Sequence, residues 1–262
     1  MKLNTRSLLK ALAVATALGS AATASAQESA LQLTGVIRDF KVSHPDMEYP
    51  TKSFGVRTGL VMPTLGEDGK PVLNTGANYQ QGMIAGPNSF NQWFRDVPGV
   101  NISIPFAITL EKSDPQRPNL YIFAVEKPAY FFPIDGLGWN DTAIDKNGKA
   151  RNFYFTYQIA TEFTFTPRSE RNYDMVFRFT GDDDVWVYIN GKLAVDIGGV
   201  HGQASKAVNL DQQAAALGLV EGENYTLDFF FAERHTTESN FRIETTLALK
   251  EVPPTTVSPL YD

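Results

Sequence analysis

Cysteine is absent from this 262-residue chain and histidine occurs three times. Disulfides, thiolate metal sites and cysteine nucleophiles are therefore excluded at the outset. Long apolar runs are scarce as well: nothing after residue 26 is long and apolar enough to span a bilayer. No Gly-x-Ser-x-Gly elbow, His-Glu-x-x-His helix or phosphate-binding glycine loop occurs, so the usual nucleophile, zinc-protease and nucleotide signatures are missing. Carboxylate pairs spaced for glycoside hydrolysis can be drawn from 29 acids in any such chain. With no further signature beside them, we read the chain as non-catalytic. Basic residues are the minority, 23 against 29 acids, which argues against nucleic acid as a partner.

What is present begins with an export pattern. Lys2, Arg6 and Lys10 flank or precede an apolar stretch at 11–18, and Ala24-Ser25-Ala26 offers a small-residue cleavage site. Residues 1–26 read as a signal peptide and the mature chain as starting at Gln27. Its removal takes away three cations and moves the formal net charge from −6 to −9. The remainder is long enough, and at 12% aromatic content apolar enough, to bury a core without covalent staples. The expected product is exported to the periplasm, the cell surface or the medium.

Strand patterns dominate from there. Segments 31–40, 102–110, 119–125, 153–165, 175–180, 185–189, 192–197, 225–232 and 241–250 are short and rich in β-branched or aromatic residues, with Gly, Pro, Asn and Asp between them. Asn190-Gly191 is the strongest hairpin signal, because a type I′ turn needs two residues that tolerate positive φ. Alternation places Trp186 and Tyr188 on one face and Val185, Val187 and Ile189 on the other. Helix is expected only at 211–219, with Asp211 at its start, and as a turn at 90–96. Segment 43–101 reads as long decorating loops, and 251–262 as a Pro/Thr-rich mobile tail. One all-β domain over 27–250 follows, a two-sheet sandwich or a closed barrel.

Three consecutive carboxylates, Asp182, Asp183 and Asp184, interrupt this apolar pattern. Acid runs have poor β-propensity and repel one another, so a cation is the natural companion. Ca²⁺ gathers six to eight oxygens from carboxylates, amides and carbonyls on flexible loops. Adjacent aspartates in a regular strand point to opposite faces, so sharing one ion requires a distorted backbone. The competing reading is a solvated turn held by Asx hydrogen bonds. Loop 233–240 brings Glu233 and Asn240 to a sandwich end as further oxygen donors; alternatively Glu233 and Arg234 form a structural ion pair. The glycine-rich segment 198–202 carries His201 beside Asp196, where imidazole would orient a carboxylate or bond to backbone. His201 and His235 with an acid are chemically able to hold Zn²⁺, but at no recognised zinc spacing. Trp139, on a Gly-rich loop, is free to stack on a ligand or to fold back over the sandwich.

The run from Gly181 to Lys192, with Asp196-Ile197-Gly198-Gly199-Val200-His201, Phe230-Phe231-Ala232-Glu233-Arg234-His235 and Ser239-Asn240-Phe241, resembles the fibro-slime domain, a relative of the PA14 β-sandwich. Arg38-Asp39-Phe40, Ser43-His44-Pro45-Asp46, 136–140 and 152–156 extend the resemblance over most of the chain. It implies a PA14-like antiparallel β-sandwich with long decorating loops and one or two short helices. It also implies a Ca²⁺ site at two adjacent aspartates joined by a cis peptide bond. Alignment on Gly191 places that pair at Asp182-Asp183, with Asp183-Asp184 as the next register. The metal set so expected is Asp182, Asp183, Asp184, Glu233 and Asn240, with Trp139, Asp196, His201 and His235 around the ligand. Two functions compete. One is a secreted, Ca²⁺-dependent carbohydrate-binding or adhesion module at the bacterial cell surface, engaging an extracellular glycan or polysaccharide. The other is an extracellular-matrix component in which Ca²⁺ only stabilises the fold and the surface binds proteins or itself.

Overall fold

A computed structural model describes residues 30–51, 55–76, 82–112 and 114–251. The expected signal peptide, and all of the expected tail but Glu251, lie outside the described residues. Twelve strands follow in order: β1 (Ala30–Phe40), β2 (Asn101–Glu111), β3 (Tyr121–Val125), β4 (Ala143–Ile144), β5 (Ala150–Arg151), β6 (Phe155–Thr164), β7 (Val176–Gly181), β8 (Asp184–Ile189), β9 (Lys192–Ile197), β10 (Ala204–Asn209), β11 (Asn224–Glu233) and β12 (Phe241–Thr245). Two short helices, α1 (Pro87–Phe90) and α2 (Leu210–Leu217), and a 3-10 turn at Arg168–Glu170 complete the elements.

All strand pairing is antiparallel. Ten strands form one continuous sheet in the order β10-β7-β12-β3-β2-β1-β6-β11-β8-β9, while β4 and β5 make a separate hairpin. The link between β2 and β3 is a single residue pair, Glu111 with Ile122. The sheet folds over there, so the expected two sheets are two halves of one, and the result is an all-β sandwich. Phe177 and Phe179 of β7 and Phe241 of β12 face Phe229 and Phe231 of β11 across the core, with ring centroids 5.2 Å apart for Phe231–Phe241 and 5.5 Å for Phe179–Phe229. Such tilted and edge-on aromatic pairs add to the stabilisation from area burial alone.

The alternation read from the sequence around Asn190-Gly191 decides both faces of β8. Val185, Val187 and Ile189 enter the inter-layer core. Trp186 and Tyr188 face outward, where Leu60, Leu73, Ile84, Phe90 and Trp93 of the long 41–100 connection cover them together with Phe230. The decorating loops are thus a third layer over β8 and β11. The turn takes the expected form, with φ of 52° at Asn190 and 69° at Gly191.

Several sequence expectations shift. Strands β4, β5 and β10 were unrecognised, since β10 (ASKAVN) is polar and half-exposed and carries little alternation. Strand β12 stops at Thr245 instead of Lys250. The first helix is at 87–90, where Pro87 opens it; of the expected 90–96 turn, Phe90 ends that helix and 91–94 follow as turns. Helix α2 starts one residue earlier than expected, and its cap is Asn209, whose side chain accepts from Gln212 N. Asp211 is the acid of the first turn, as expected, and also binds the Arg171 guanidinium.

Phe231→Ala empties the centre of the inter-layer core, where the side chain is fully buried. The expected loss is about 3–5 kcal/mol of unfolding free energy, read from urea denaturation; a loss below about 1 kcal/mol would mean that the two layers do not pack through this ring.

Candidate functional site

Strand order explains why the sequence-distant candidates meet. Strands β7 and β12 lie in one layer and β8, β9 and β11 in the other. Three connections must therefore cross between layers: 182–183 from β7 to β8, 198–203 from β9 to β10, and 234–240 from β11 to β12. The register pairs Gly181 with both Phe241 and Ala204, so all three crossings fall at the same end. Gly181 itself is obligatory there, since a Cβ would lie 2.3 Å from the Asn240 carbonyl oxygen.

A crossing of only two residues forces an unusual backbone, and Asp183 adopts φ 51°. That left-handed conformation, tolerated by Asp more readily than by most residues, is the distortion that consecutive aspartates need. The expected cis bond at Asp182-Asp183 does not occur; the described non-proline cis peptide is Thr236-Thr237, in the neighbouring crossing.

The three aspartates have separate partners. Asp182 Oδ2 accepts from the backbone N–H and side-chain amide of Asn240, at 2.8 and 2.7 Å, and its Oδ1 is buried without a hydrogen bond. Asp183 accepts from the backbone N–H groups of His201 at 3.3 Å and Arg234 at 3.1 Å. Asp184 accepts from the Gly199 N–H on one oxygen and from the Arg234 Nε on the other, each at 2.6 Å, and forms the buried ion pair of the site. Arg234 thus pairs with Asp184 and not with its neighbour Glu233, because adjacent strand residues point to opposite sides. Glu233 is fully buried, and neither carboxyl oxygen has a hydrogen bond of ordinary geometry, although Ser239 and Asp183 are among its polar neighbours.

One buried guanidinium thus stands near a cluster of buried carboxyl groups, Asp182, Asp183, Asp184 and Glu233, and pairs directly with Asp184. Burial pushes Asp182 up from the usual carboxylate range. Burial, against the opposing pull of Arg234 and with the repulsion of Asp184, pushes Asp183 up to about 7. Burial and the charges of Asp183 and Asp182 hold Glu233 well above its ordinary value. Burial away from water, which disfavours the charged form, is the common and largest cause.

Beside them opens a pocket of about 170 Å³ lined by Asp182, Asp183, His201, His235, Thr237 and Glu238, among others. Its rim is tied down: Glu238 binds Lys146 at 2.5 Å and the Tyr130 hydroxyl at 3.2 Å. His235 Nδ1 lies 2.6 Å from the Thr236 carbonyl, and His201 Nδ1 lies 2.7 Å from the Gly202 carbonyl. The His201 Nε2 is buried without a partner.

Of the expected metal set, Asp182, Asp183 and Glu233 come together, and Asp182 and Glu233 have carboxyl oxygens without a hydrogen bond. Asn240 is adjacent, but its side-chain oxygen accepts from Lys127 N at 2.9 Å. Asp184 is committed to Arg234. Among the expected ligand residues, His201 and His235 line the pocket. Asp196 does not: it bonds Gly59 N and the Trp186 indole. Trp139 does not either; its backbone N–H donates to Asp39, and Lys41 lies 4.0 Å over its ring. Arg234 and Lys146 were missed as site residues. The one signal available was an arginine next to an acid at the end of an apolar strand.

The orphaned oxygens of Asp182 and Glu233, and the charge deficit, fit a hard cation chemically. Among the described residues no group of three His, Asp or Glu side chains stands ready-made as a coordination shell. Asp182, Asp183 and Glu233 are the residues that would hold an ion.

Fold and pocket together define an antiparallel β-sandwich with an acidic pocket between its layer-crossing loops. Comparison with known proteins places residues 140–259 as a match to the PA14 domain, a span that contains every carboxylate of the pocket. Three proteins of Dictyostelium discoideum are similar over most of the chain. Protein psiQ is 42% identical over 212 residues (78% of this chain, 20% of psiQ), and psiR is 42% identical over 235 residues (86% and 22%). Protein psiD is 37% identical over 228 residues (84% and 42%). The chain spans between a fifth and about two fifths of the length of these relatives. A GH31 alpha-xylosidase from Xanthomonas citri aligns with 83% of this chain and 24% of its own at 11% identity and a TM-score of 0.25, a level that bears on neither fold nor activity.

The raised carboxyls give a definite pH dependence. Between the unfolded value of 3.8 and about 7 the folded protein keeps a proton on Asp183 that the unfolded chain has lost. Stability in a chelator therefore falls as pH rises through that window. Asp183→Asn should flatten the fall, read as melting temperature between about pH 5 and pH 8; a wild-type curve that rises with pH instead would contradict the assignment. Arg234→Met should cost about 3–5 kcal/mol by stranding Asp184, and Asp184→Asn in the same chain should recover part of it.

Proposed function

We propose that this chain is a secreted, non-catalytic carbohydrate-binding or adhesion module of fibro-slime type in which Ca²⁺ occupies the acidic pocket. The observation that carries the proposal is the set of buried, under-neutralised carboxyls of Asp182, Asp183 and Glu233 beside an open pocket. A bound Ca²⁺ supplies the missing positive charge and coordination positions that sugar hydroxyls can fill. Asp182 and Asp183 hold it from the two-residue crossing, and Glu233 holds it from the end of β11. His235, Thr237 and Glu238 shape the mouth through which a ligand arrives. The PA14 match supports a glycan partner, and the export pattern of residues 1–26 supports secretion.

The depth of Glu233 favours a second reading, in which the ion only stabilises the sandwich end and the surface serves matrix assembly. Melting in EDTA and in Ca²⁺, with and without Asp182→Asn plus Asp183→Asn, tests the site itself. Calcium at a hundredfold excess over its dissociation constant should add about 2.7 kcal/mol to the wild type and nothing to the double variant. No shift in the wild type would sink the calcium proposal. A shift without any calcium-dependent retention on a glycan array would leave the matrix reading.

A further inference from the structure

The opposite end of the sandwich carries a second concavity, which the acidic pocket does not explain. It measures about 460 Å³ and lies where β3 and β7 begin and β12 ends, with Asn119, Asn172, Tyr173, Arg178, Glu244 and Thr246 on its walls. The six residues of β7 separate it from Gly181, a span of roughly 16 Å. A second depression, of about 560 Å³, shares Asn119, Asn172 and Tyr173 with the first. These three residues thus stand at the junction of one groove. The size of each part is in the range of ligand-binding clefts.

The chemistry of the walls narrows the ligand. Their charges are balanced, and among the described residues all but that of Glu170 are paired within the chain. Arg178 lies 3.7 Å from Glu244, Asp174 lies 3.0 Å from Arg168, and Arg117 lies 2.6 Å from Asp114. An anionic ligand would find no free cation among these residues to pair with, and the groove as a whole carries no net charge. By contrast, the side-chain amides of Gln116, Asn119 and Asn172 and the hydroxyl of Tyr173 make no hydrogen bond among the described residues. They offer both donors and acceptors. Tyr173 is half-buried, and its carbonyl accepts from Arg168 Nη1 and Arg171 Nη1, each at 2.6 Å, so its backbone is fixed. Pro118 and Val176 add apolar surface beside it.

A half-buried tyrosine on a fixed backbone, unengaged amides and no net charge, in a groove continuing to both sides, match an extended neutral polyhydroxylated chain. From these features we infer that Tyr173, Asn119 and Asn172 form a cation-independent site for a neutral linear oligosaccharide. A sugar ring lies against Tyr173, its hydroxyls bond the amides, and the chain continues into the two depressions. This site is separate from the acidic pocket and does not depend on calcium.

The full chain should be applied in EDTA to an array of neutral linear hexasaccharides (cellohexaose, laminarihexaose, xylohexaose and mannohexaose). The expected result is binding that weakens about tenfold or more in Tyr173→Ala and in Asn119→Ala, and is unchanged in Asp182→Asn. Asn119→Ala guards against a folding defect at Tyr173, and melting temperatures of both variants check it. Absence of binding to all four probes in EDTA would overturn the inference. Binding that survives both groove substitutions would overturn it too. Loss of binding in Asp182→Asn would assign the sugar to the acidic pocket and equally overturn it, while leaving the calcium proposal standing.

Discussion

The guanidinium of Arg234 has no exposure to solvent, and much of the molecule converges on it. Its Nε holds Asp184 at the start of β8. Its Nη atoms donate to the carbonyls of Asp46, Tyr49 and Met83 in the long covering connection. Its face lies 5.3 Å from the Trp93 ring. One side chain thus neutralises an acid of the sandwich end and satisfies three loop carbonyls that would otherwise be buried without partners. A planar, permanently charged fork with five donors suits this task; an ammonium does not. Because Arg234 is committed to Asp184, Asp182, Asp183 and Glu233 are left short of positive charge. The structural clamp and the reactive character of the pocket have the same origin.

Topology supplies the rest of the site. Strands that are neighbours in sequence but lie in opposite layers must be joined across the end of the sandwich. Three such joins at one end bring together residues more than fifty positions apart. Backbone groups do much of the work: Asp183 is gripped by the N–H groups of His201 and Arg234, one from each of the other two crossings. The far end has no such convergence of buried acids, and its groove is bordered by amides, a tyrosine and balanced charges. The same sandwich therefore presents one acidic end and one neutral end.

Much of this was legible beforehand. Period-two alternation with Gly, Pro and Asn punctuation marked the long strands, and Asn190-Gly191 fixed one hairpin and with it the two faces of β8. Polar β10 and the two-residue strands β4 and β5 had no alternation to betray them. The acidic run stood out because it contradicted its surroundings. The reach of each acid did not, since whether Asp184 or Asp182 carries a spare oxygen depends on a guanidinium fifty residues away. Trp139 and Asp196 looked like ligand residues on loop position and flanking glycines, and local hydrogen bonds to Asp39 and Gly59 direct them elsewhere.

The sequence by itself determined the all-β class, the disulfide-free core, the acid cluster and the turn between β8 and β9, because these follow from side-chain periodicity, composition and local backbone preference. Only the tertiary structure decided that one sheet folds into both layers. It alone decided that Arg234 neutralises Asp184 and leaves three carboxyls without a cation, and that a neutral groove opens at the other end. Those outcomes depend on which strands become neighbours across the layers. That is a matter of long-range packing, in which distant residues meet and compete for the same partner.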